Sequence, residues 1–431
     1  MSDVDSLKIL NGHVIDPANG VDRVGPIYVE NGRIVSHEPN KAEWIDANGL
    51  VVAPGLIDIH VHLREPGQSH KETIASGTRA AAAGGFTSVV CMPNTFPTVD
   101  NPSTISWIQE RARQKAVVNV FCAGAITKGL MGQALAPIGS MAAAGVVAIT
   151  DDGFCVQNHG LMRRAIEYAK MFGLPILDHC QDESLVSDGV INEGEWSVRL
   201  GMQGWPSAGE ELIVERDILL AELCQHPVHC QHISSAGSVR RIREARRRGV
   251  PISGEVCPHH IFFTDAEVAG FDTCFKTNPP IRSEEDITAI LEGISDGTLN
   301  VLCSDHAPHA SFEKEVEFDQ APFGVTGLET EFPAFCDLLV HRRKIIPLKR
   351  LIALYTLYPA RLLRLDRGTL SPGASADITL IDPNLEWTFH KKESLSMSSN
   401  TPFDNVTFCG RAVRTLVRGH TVWILEGSKN E

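Results

Sequence analysis

What is missing from this chain narrows its class first. No apolar run reaches the ~18 residues that a membrane-spanning helix needs, so a membrane is not an expected partner. Positive charge is scarce: 39 Lys+Arg against 53 Asp+Glu leave a formal charge of −14. That sign argues against nucleic acid as the main partner, although it leaves room for a local basic pocket. None of the eleven cysteines forms a C-x-x-C pair. An odd count in a long chain predicts reduced thiols packed as small apolar groups in the cytoplasm. Met1-Ser2-Asp3-Val4-Asp5 is acidic and polar, unlike a secretory signal. There is no internal repeat, no low-complexity tract, and no G-x-G-x-x-G loop after an early strand, which weighs against an open dinucleotide-binding sheet.

What is present reads as an ordinary globular protein. The 431 residues are 43% hydrophobic and 21% charged, enough for one large core and a smaller domain. Residues 1–53 show short strands and turns: Leu7–Leu10 running into Asn11-Gly12, a hairpin-type pair; Ile27–Glu30 running into Asn31-Gly32 and then Arg33–Val35; and Leu50–Val52. Over 54–370 apolar runs alternate with helical periodicity, as in Thr73–Ala83 and Leu161–Phe172. The runs are the stretch ending at Ile59, then Thr87–Met92, Val117–Phe121, Gly145–Ile149, Pro175–Asp178, Val228–Gln231, Pro251–Val256 and Leu299–Ser304. Eight buried strands, each followed by a helix, predict a closed (β/α)8 TIM barrel. Over 371–431 the strand pattern returns in Ala376–Ile381, Val406–Phe408 and Val413–Arg418. Both ends of the chain are expected to build one small composite β-sandwich beside the barrel.

The chemistry is read at the strand ends, where barrel active sites lie. His60 and His62 follow the first run, with side chains on one side of the strand. Alone, such a pair reads equally as half a metal site or as two packed histidines. Asp152 follows the fourth run, His179 the fifth, His232 the sixth and Asp305 the eighth. Six imidazole and carboxylate ligands exceed the need of one tetrahedral ion and suit two ions sharing a bridging carboxylate. This donor set favours Zn2+ over Mg2+ or Ca2+ and leaves Mn, Co and Fe open.

Gly55–Gly67, with its Asp58-Ile59-His60-Val61-His62 centre, resembles a motif of the cyclic-amidase branch of the amidohydrolase superfamily. Cys91-Met92-Pro93-Asn94-Thr95, Lys276–Arg282 and Ser304-Asp305-His306-Ala307-Pro308-His309 narrow the resemblance to the class I dihydroorotases, over nearly the whole chain. The resemblance implies that His60, His62 and Asp305 hold one zinc, that His179 and His232 hold a second, and that Asp152 bridges. Asp151 is the weaker candidate and reads as a loop or capping carboxylate. Many superfamily members bridge their metals with a modified lysine, yet no lysine lies between Lys128 and Lys170. The implied substrate is a cyclic amide bearing a carboxylate. Arg64 would fork onto that carboxylate, shared by Asn94 and His309, while Asn278 and the backbone at Phe323 and Gly324 would face the ring. Taken alone, Arg64 reads as a surface ion-pair partner, Asn94 as a turn residue, Asn278 as a pre-proline loop residue and His309 as an exposed loop histidine.

The activity so implied is reversible cyclisation of N-carbamoyl-L-aspartate to L-dihydroorotate with loss of water, in pyrimidine synthesis. A metal-bridged hydroxide would act on the ring carbonyl and Asp305 would shuttle the proton, with a lid over residues 306–325. The rivals are another cyclic amidase, of allantoinase or hydantoinase type, and a non-catalytic barrel that partners aspartate transcarbamoylase. A homodimer is expected, and association with a transcarbamoylase is open. His229 is expected in the barrel wall, facing away from His232, and His259-His260 in structure. His306 stands outside any constellation. The basic run Arg240–Arg248 reads as a solvated helix face or subunit contact.

Overall fold

In a computed structural model the protein is described over residues 6–427; Met1–Asp5, read above for a leader, lies outside the described residues. The barrel strands are Leu56–Val61, Phe86–Cys91, Asn119–Gly124, Ala148–Ile149, Ile176–Asp178, Val228–Cys230, Ile252–Val256 and Val301–Leu302. They pair in chain order, all parallel. Every residue of the first two is buried, which is why these strands read as continuous apolar runs rather than alternating ones. Each of the eight expected runs overlaps one of these strands, and the third strand continues three residues beyond its run, to Gly124.

Helices cover the barrel and start where the chain supplies caps. Ile74–Ala83 begins with a reciprocal cap between Thr73 and Ser76, and Pro102–Lys115 is capped by Asn101 with Pro102 in the first turn. The ring closes where the first strand meets the chain beyond the last. Val61 bridges to His306 in parallel, the His62 N–H donates to the His306 carbonyl at 2.8 Å, and the buried Asp58 accepts from the Ser304 hydroxyl at 2.5 Å. Among the described residues no helix is long and apolar enough to cross a membrane.

Both chain ends build a second β unit. One sheet orders Arg33–Val35, Ile27–Glu30, Ser6–Leu10 and Glu43–Asp46; the other orders His420–Ile424, Thr407–Val417, Ile378–Thr388, Val51–Pro54, His13–Asp16 and Val21–Val24. Leu7, Ile9, Val14 and Val29 from the first end pack with Ile378, Leu380 and Leu416 from the second in one apolar core. Gly55 joins this unit to the barrel, because a Cβ there would lie 2.0 Å from the Thr87 hydroxyl oxygen.

Two local expectations are corrected. Asn11-Gly12 is not a hairpin turn: Ser6–Leu10 pairs with Ile27–Glu30 and Glu43–Asp46, whereas His13–Asp16 belongs to the other sheet. The positive φ of Asn11 lets the chain bend, but burial of Ile9 and Val14 in the core between the sheets decides which strands pair. Val406–Phe408 and Val413–Arg418 are parts of one strand, Thr407–Val417, which stays paired through register shifts against Ile378–Thr388. The short strands His13–Asp16, Val21–Val24 and Glu43–Asp46 were not legible, two of them being mostly exposed at their side chains and too short for a period to show.

The 389–406 connection between the two long strands does not turn tightly. It runs out to the site end of the barrel, where Ser398 donates to the Lys71 carbonyl at 2.6 Å.

Phe86 is fully buried and packs edge-on against Tyr355, ring centroids 5.8 Å apart. Phe86→Ala is expected to cost about 3–5 kcal/mol. Denaturant unfolding checks it, and a loss below about 1 kcal/mol would contradict this packing.

Candidate active site

The six ligand-type residues converge. His60 lies within the first barrel strand and His62 just past its end. Asp152, His179, His232 and Asp305 follow the fourth, fifth, sixth and eighth strands. The backbone leaves these strands sharply: Arg64, His232 and Asp305 hold φ of 60°, 31° and 45°. Such left-handed conformations cost non-glycine residues about 1–3 kcal/mol each, and they cluster where geometry serves a site.

The side chains meet around two carboxylates. His60 Nε2 lies 3.0 Å from Asp152 Oδ1 and 3.4 Å from Asp305 Oδ1. His62 Nε2 lies 3.0 Å from Asp305 Oδ1 and 3.4 Å from Asp152 Oδ2. His179 Nδ1 and His232 Nε2 each lie 3.8 Å from Asp152 Oδ1, and 2.8 Å from each other. The sets His60, His62, Asp305 and His60, Asp152, His232 each bring their ligand atoms within 4.8 Å of one another. His60 Nε2 and Asp152 Oδ1 are buried and take part in no hydrogen bond, although only 3.0 Å separates them. Two lone-pair donors facing one point, rather than each other along a bond, fit a shared cation.

Electrostatics calls for positive charge at the same place. Burial would lift the Asp152 and Asp305 carboxyls, but the His60 imidazole beside them holds both well below the usual carboxylate range. Burial would depress His60, yet Asp152, Asp305 and Glu255 together hold it well above its ordinary value. His179 is pushed down to about 4 by burial and by His232. Ionised carboxylates so deeply buried require positive charge, from a protonated imidazole or from a metal.

A cavity of about 350 Å³ opens above the cluster, lined by His62, Asp152, His179, His232 and Asp305, with His60 beneath it. Arg64, Asn94, Asn278, His309, Phe323 and Gly324 line the same cavity. Arg64 is buried, not at the surface; its Nε donates to the Pro308 carbonyl at 3.1 Å and its Nη2 lies 3.4 Å from His309 Nε2. Burial lowers its guanidinium to about 10. His309 is buried too, and burial with the nearby Arg64 charge lowers it to about 2, so the ring is neutral. The Asn94 side-chain oxygen holds His62 Nδ1 at 2.8 Å. Asn278 donates to Gln181 Oε1 at 3.1 Å, and its own side-chain oxygen is buried without a partner.

Other sequence readings fall outside this cluster. Asp151 accepts from the Ile126 and Thr127 backbone N–H groups at 2.7 and 2.9 Å and from the Thr127 hydroxyl, which makes it a loop carboxylate. Lys170 donates to the Cys224 carbonyl and bridges nothing at the site. His260 lies 3.0 Å from the Pro279 carbonyl. Arg241 and Arg243 of the basic run pair with Glu211 and Asp296 within the chain.

His306 belongs to none of the ligand sets among the described residues; it is buried, 3.2 Å from Glu72 Oε2, and accepts from the Gly327 N–H. One histidine reading is corrected. His229 is not a passive wall residue. Its Nε2 lies 3.1 Å from Glu255 Oε2, and Glu255 Oε1 lies 2.7 Å from His60 Nδ1. Strand alternation cannot be carried from 229 to 232, because the strand ends at Cys230 and His232 has turned out of it.

Glu255 was therefore missed by sequence reasoning. A fully buried acid inside the apolar strand Ile252–Val256 is itself a signal, since such a group needs a partner. Burial would raise its carboxyl, but the His60 charge holds it well below its usual range. A carboxylate on the far nitrogen of a metal-ligating histidine fixes its tautomer and raises its basicity.

A parallel barrel whose strand ends gather four imidazoles and two carboxylates is the frame of a metal-dependent cyclic amide hydrolase. Comparison with known proteins agrees and narrows the class. A family model described as dihydro-orotase-like matches residues 49–238. A dihydroorotase of Solibacter usitatus is 49% identical, covering 98% of this chain and 99% of that protein. One of Pelotomaculum thermopropionicum is also 49% identical, covering 96% and 98%. The chain belongs to the dihydroorotase family. Among solved structures, the L-hydantoinase of Arthrobacter aurescens superposes with a TM-score of 0.87 at 23% identity, covering 98% of this chain and 97% of that one, and so shares the fold.

Glu255→Gln is expected to weaken binding of a divalent ion about ten-fold or more. Competition with a chromophoric chelator measures this, and an unchanged affinity would remove Glu255 from the support of His60.

Proposed function

We propose that this chain is a dihydroorotase, interconverting N-carbamoyl-L-aspartate and L-dihydroorotate, with ring closure serving de novo pyrimidine synthesis in the cytoplasm. The observation that carries this reading is Arg64. It is a buried guanidinium with no carboxylate in ion-pair range among the described residues, opening on the same cavity as the imidazole–carboxylate cluster. Asp305, Asp152, Glu313 and Glu72 support its charge only from beyond that range, which leaves the fork open to a directly paired carboxylate. A substrate carboxylate supplies it, which distinguishes dihydroorotate from an uncharged cyclic amide. The eleven free thiols suit a reducing compartment.

His60, His62 and Asp305 would hold one zinc ion, His179 and His232 a second, and Asp152 would serve both. Bound there, zinc would supply Lewis acidity that favours ionised water near neutral pH and polarises a carbonyl. Arg64 binds and orients the substrate carboxylate through its fork, and Asn94 and the neutral His309 bound the same pocket. The unpartnered oxygen of Asn278 accepts a ring N–H, and the backbone at Phe323 and Gly324 borders the ring. In ring opening a water oxygen bonds to the ring carbonyl carbon as that carbon's bond to the ring nitrogen breaks; Asp305, held as carboxylate, accepts the water proton and passes it to the departing nitrogen, and ring closure runs the same steps backwards. Ala307, His309, Pro322, Phe323 and Gly324 of the 306–325 segment line the cavity, and this segment would act as the lid that limits water entry.

Purified, zinc-reconstituted protein is expected to interconvert both compounds, and absence of turnover in either direction would sink the reading. Asp305→Asn is expected to lower kcat by about 10²–10⁴ with the fold intact by circular dichroism. Arg64→Lys, which keeps the charge and loses the fork, is expected to raise KM for dihydroorotate about ten-fold or more. An unchanged KM would take Arg64 off the carboxylate.

A further inference from the structure

The segment that runs out from the terminal β unit ends at the substrate side of the cavity. Asn400, 5% exposed, spends its amide there. Its side-chain oxygen accepts the His309 N–H at 3.0 Å; its side-chain nitrogen donates to the Ala307 carbonyl at 3.1 Å and the Gly324 carbonyl at 3.0 Å. Its own backbone carbonyl accepts the Thr326 N–H at 2.9 Å. One side chain thus joins the two stretches that carry His309 and Phe323-Gly324. The two stretches also touch directly: the Ala307 N–H donates to the Val325 carbonyl at 2.8 Å, and a Cβ on Gly324, whose φ is +125°, would lie 2.7 Å from the Ala307 Cβ. The His309 ring closes the arrangement, with Nε2 2.9 Å from the Phe323 carbonyl.

The segment is fixed on both sides of Asn400. Before it, the Met397 N–H and the Ser396 hydroxyl donate to the buried Glu72, and Ser398 holds the Lys71 carbonyl. After it, the fully buried Phe403 sits in an aromatic cluster with Phe262, Phe263 and Phe408. Neither anchor is needed to complete the terminal sheet, whose strands end at Thr388 and resume at Thr407. Both place a fully used amide between the walls of one cavity, and such a satisfied buried polar group specifies a single geometry.

We infer that Asn400 is a positioning residue for the carboxylate-bearing substrate: it sets the separation of His309 from the Phe323-Gly324 backbone, and so makes the C-terminal β segment part of the substrate site. The inference rests on the cavity being that of a carboxylate-bearing cyclic amide.

Two variants test it. Asn400→Ser removes the clamp. Asn400→Asp keeps the acceptor and shape and loses both N–H donors. In each, the amides of 306–309 and 323–326 are expected to exchange with deuterium about ten-fold faster, while Leu56–Val61 and Ile252–Val256 keep their protection. KM for L-dihydroorotate is expected to rise about ten-fold, with kcat changed less than about three-fold and bound zinc unchanged. Unchanged exchange in the two stretches overturns the inference, as does faster exchange throughout the barrel. So does a fall in kcat and thermal midpoint with KM unmoved, which marks a merely structural residue. If the unaltered protein turns over no dihydroorotate, the proposed function falls, and the exchange measurement alone still decides whether Asn400 holds the two walls.

Discussion

His60 sits fully buried with a carboxylate on each side of its ring: Glu255 on Nδ1, and Asp152 with Asp305 around Nε2. Much of the barrel mouth follows from keeping these charges together without water. The ring can be so placed only if the first, fourth, seventh and eighth strands are in register, because each delivers one member. Asp58, two residues earlier on the same strand, accepts from Ser304, one residue before Asp305. The hydrogen bond that closes the barrel therefore also sets the distance between the two chain segments carrying His60 and Asp305. Fold closure and ligand geometry are one constraint here.

That constraint carries local costs. His232, Asp305 and Arg64 leave their strands with positive φ, and ionised carboxylates lie where burial alone would protonate them. Neither would persist in an isolated β–α unit. They persist because the apolar wall outside the strands is large and continuous, and because three of the imidazoles are tied onward: His62 to Asn94, His179 to Gln181, and His60 through Glu255 to His229. From His60 the contacts run through Glu255 and His229 to the Ser253 hydroxyl, 2.7 Å from His229 Nδ1, and such outer partners keep the imidazoles at fixed orientations.

The terminal β unit has two attachments to this centre. Its sheet packs against the barrel with almost no space, at Gly55 over Thr87 and where the Thr379 hydroxyl donates to the Gly85 carbonyl at 2.6 Å. Its long connection reaches the far side of the barrel mouth through Glu72, Lys71 and Asn400. Strand content at the ends of the chain was readable, since Ile378–Ile381 and Ile27–Glu30 carry β-branched residues between turn signals. The connection was not: 389–406 has no period, and nothing in its composition says which part of the barrel it approaches.

By itself the sequence determined the eight buried runs and their order, and with them the placement of His60, His62, Asp152, His179, His232 and Asp305 at strand ends. Burial on both faces leaves a continuous apolar stretch that one-dimensional reading detects, and a ligand type directly after such a stretch stands out. Only the tertiary structure decided the partners. Glu255 is an acid in a strand until the barrel brings it 195 residues back to His60. Arg64, taken alone, reads as a surface ion-pair partner until its burial with no carboxylate in ion-pair range among the described residues is seen, and Asn400 gives no signal until its three side-chain hydrogen bonds are traced. Asn11-Gly12 reads as a hairpin until the two sheets part on either side of it. In each case the deciding quantity is which distant group shares a water-free space with the residue, and local periodicity carries no record of that.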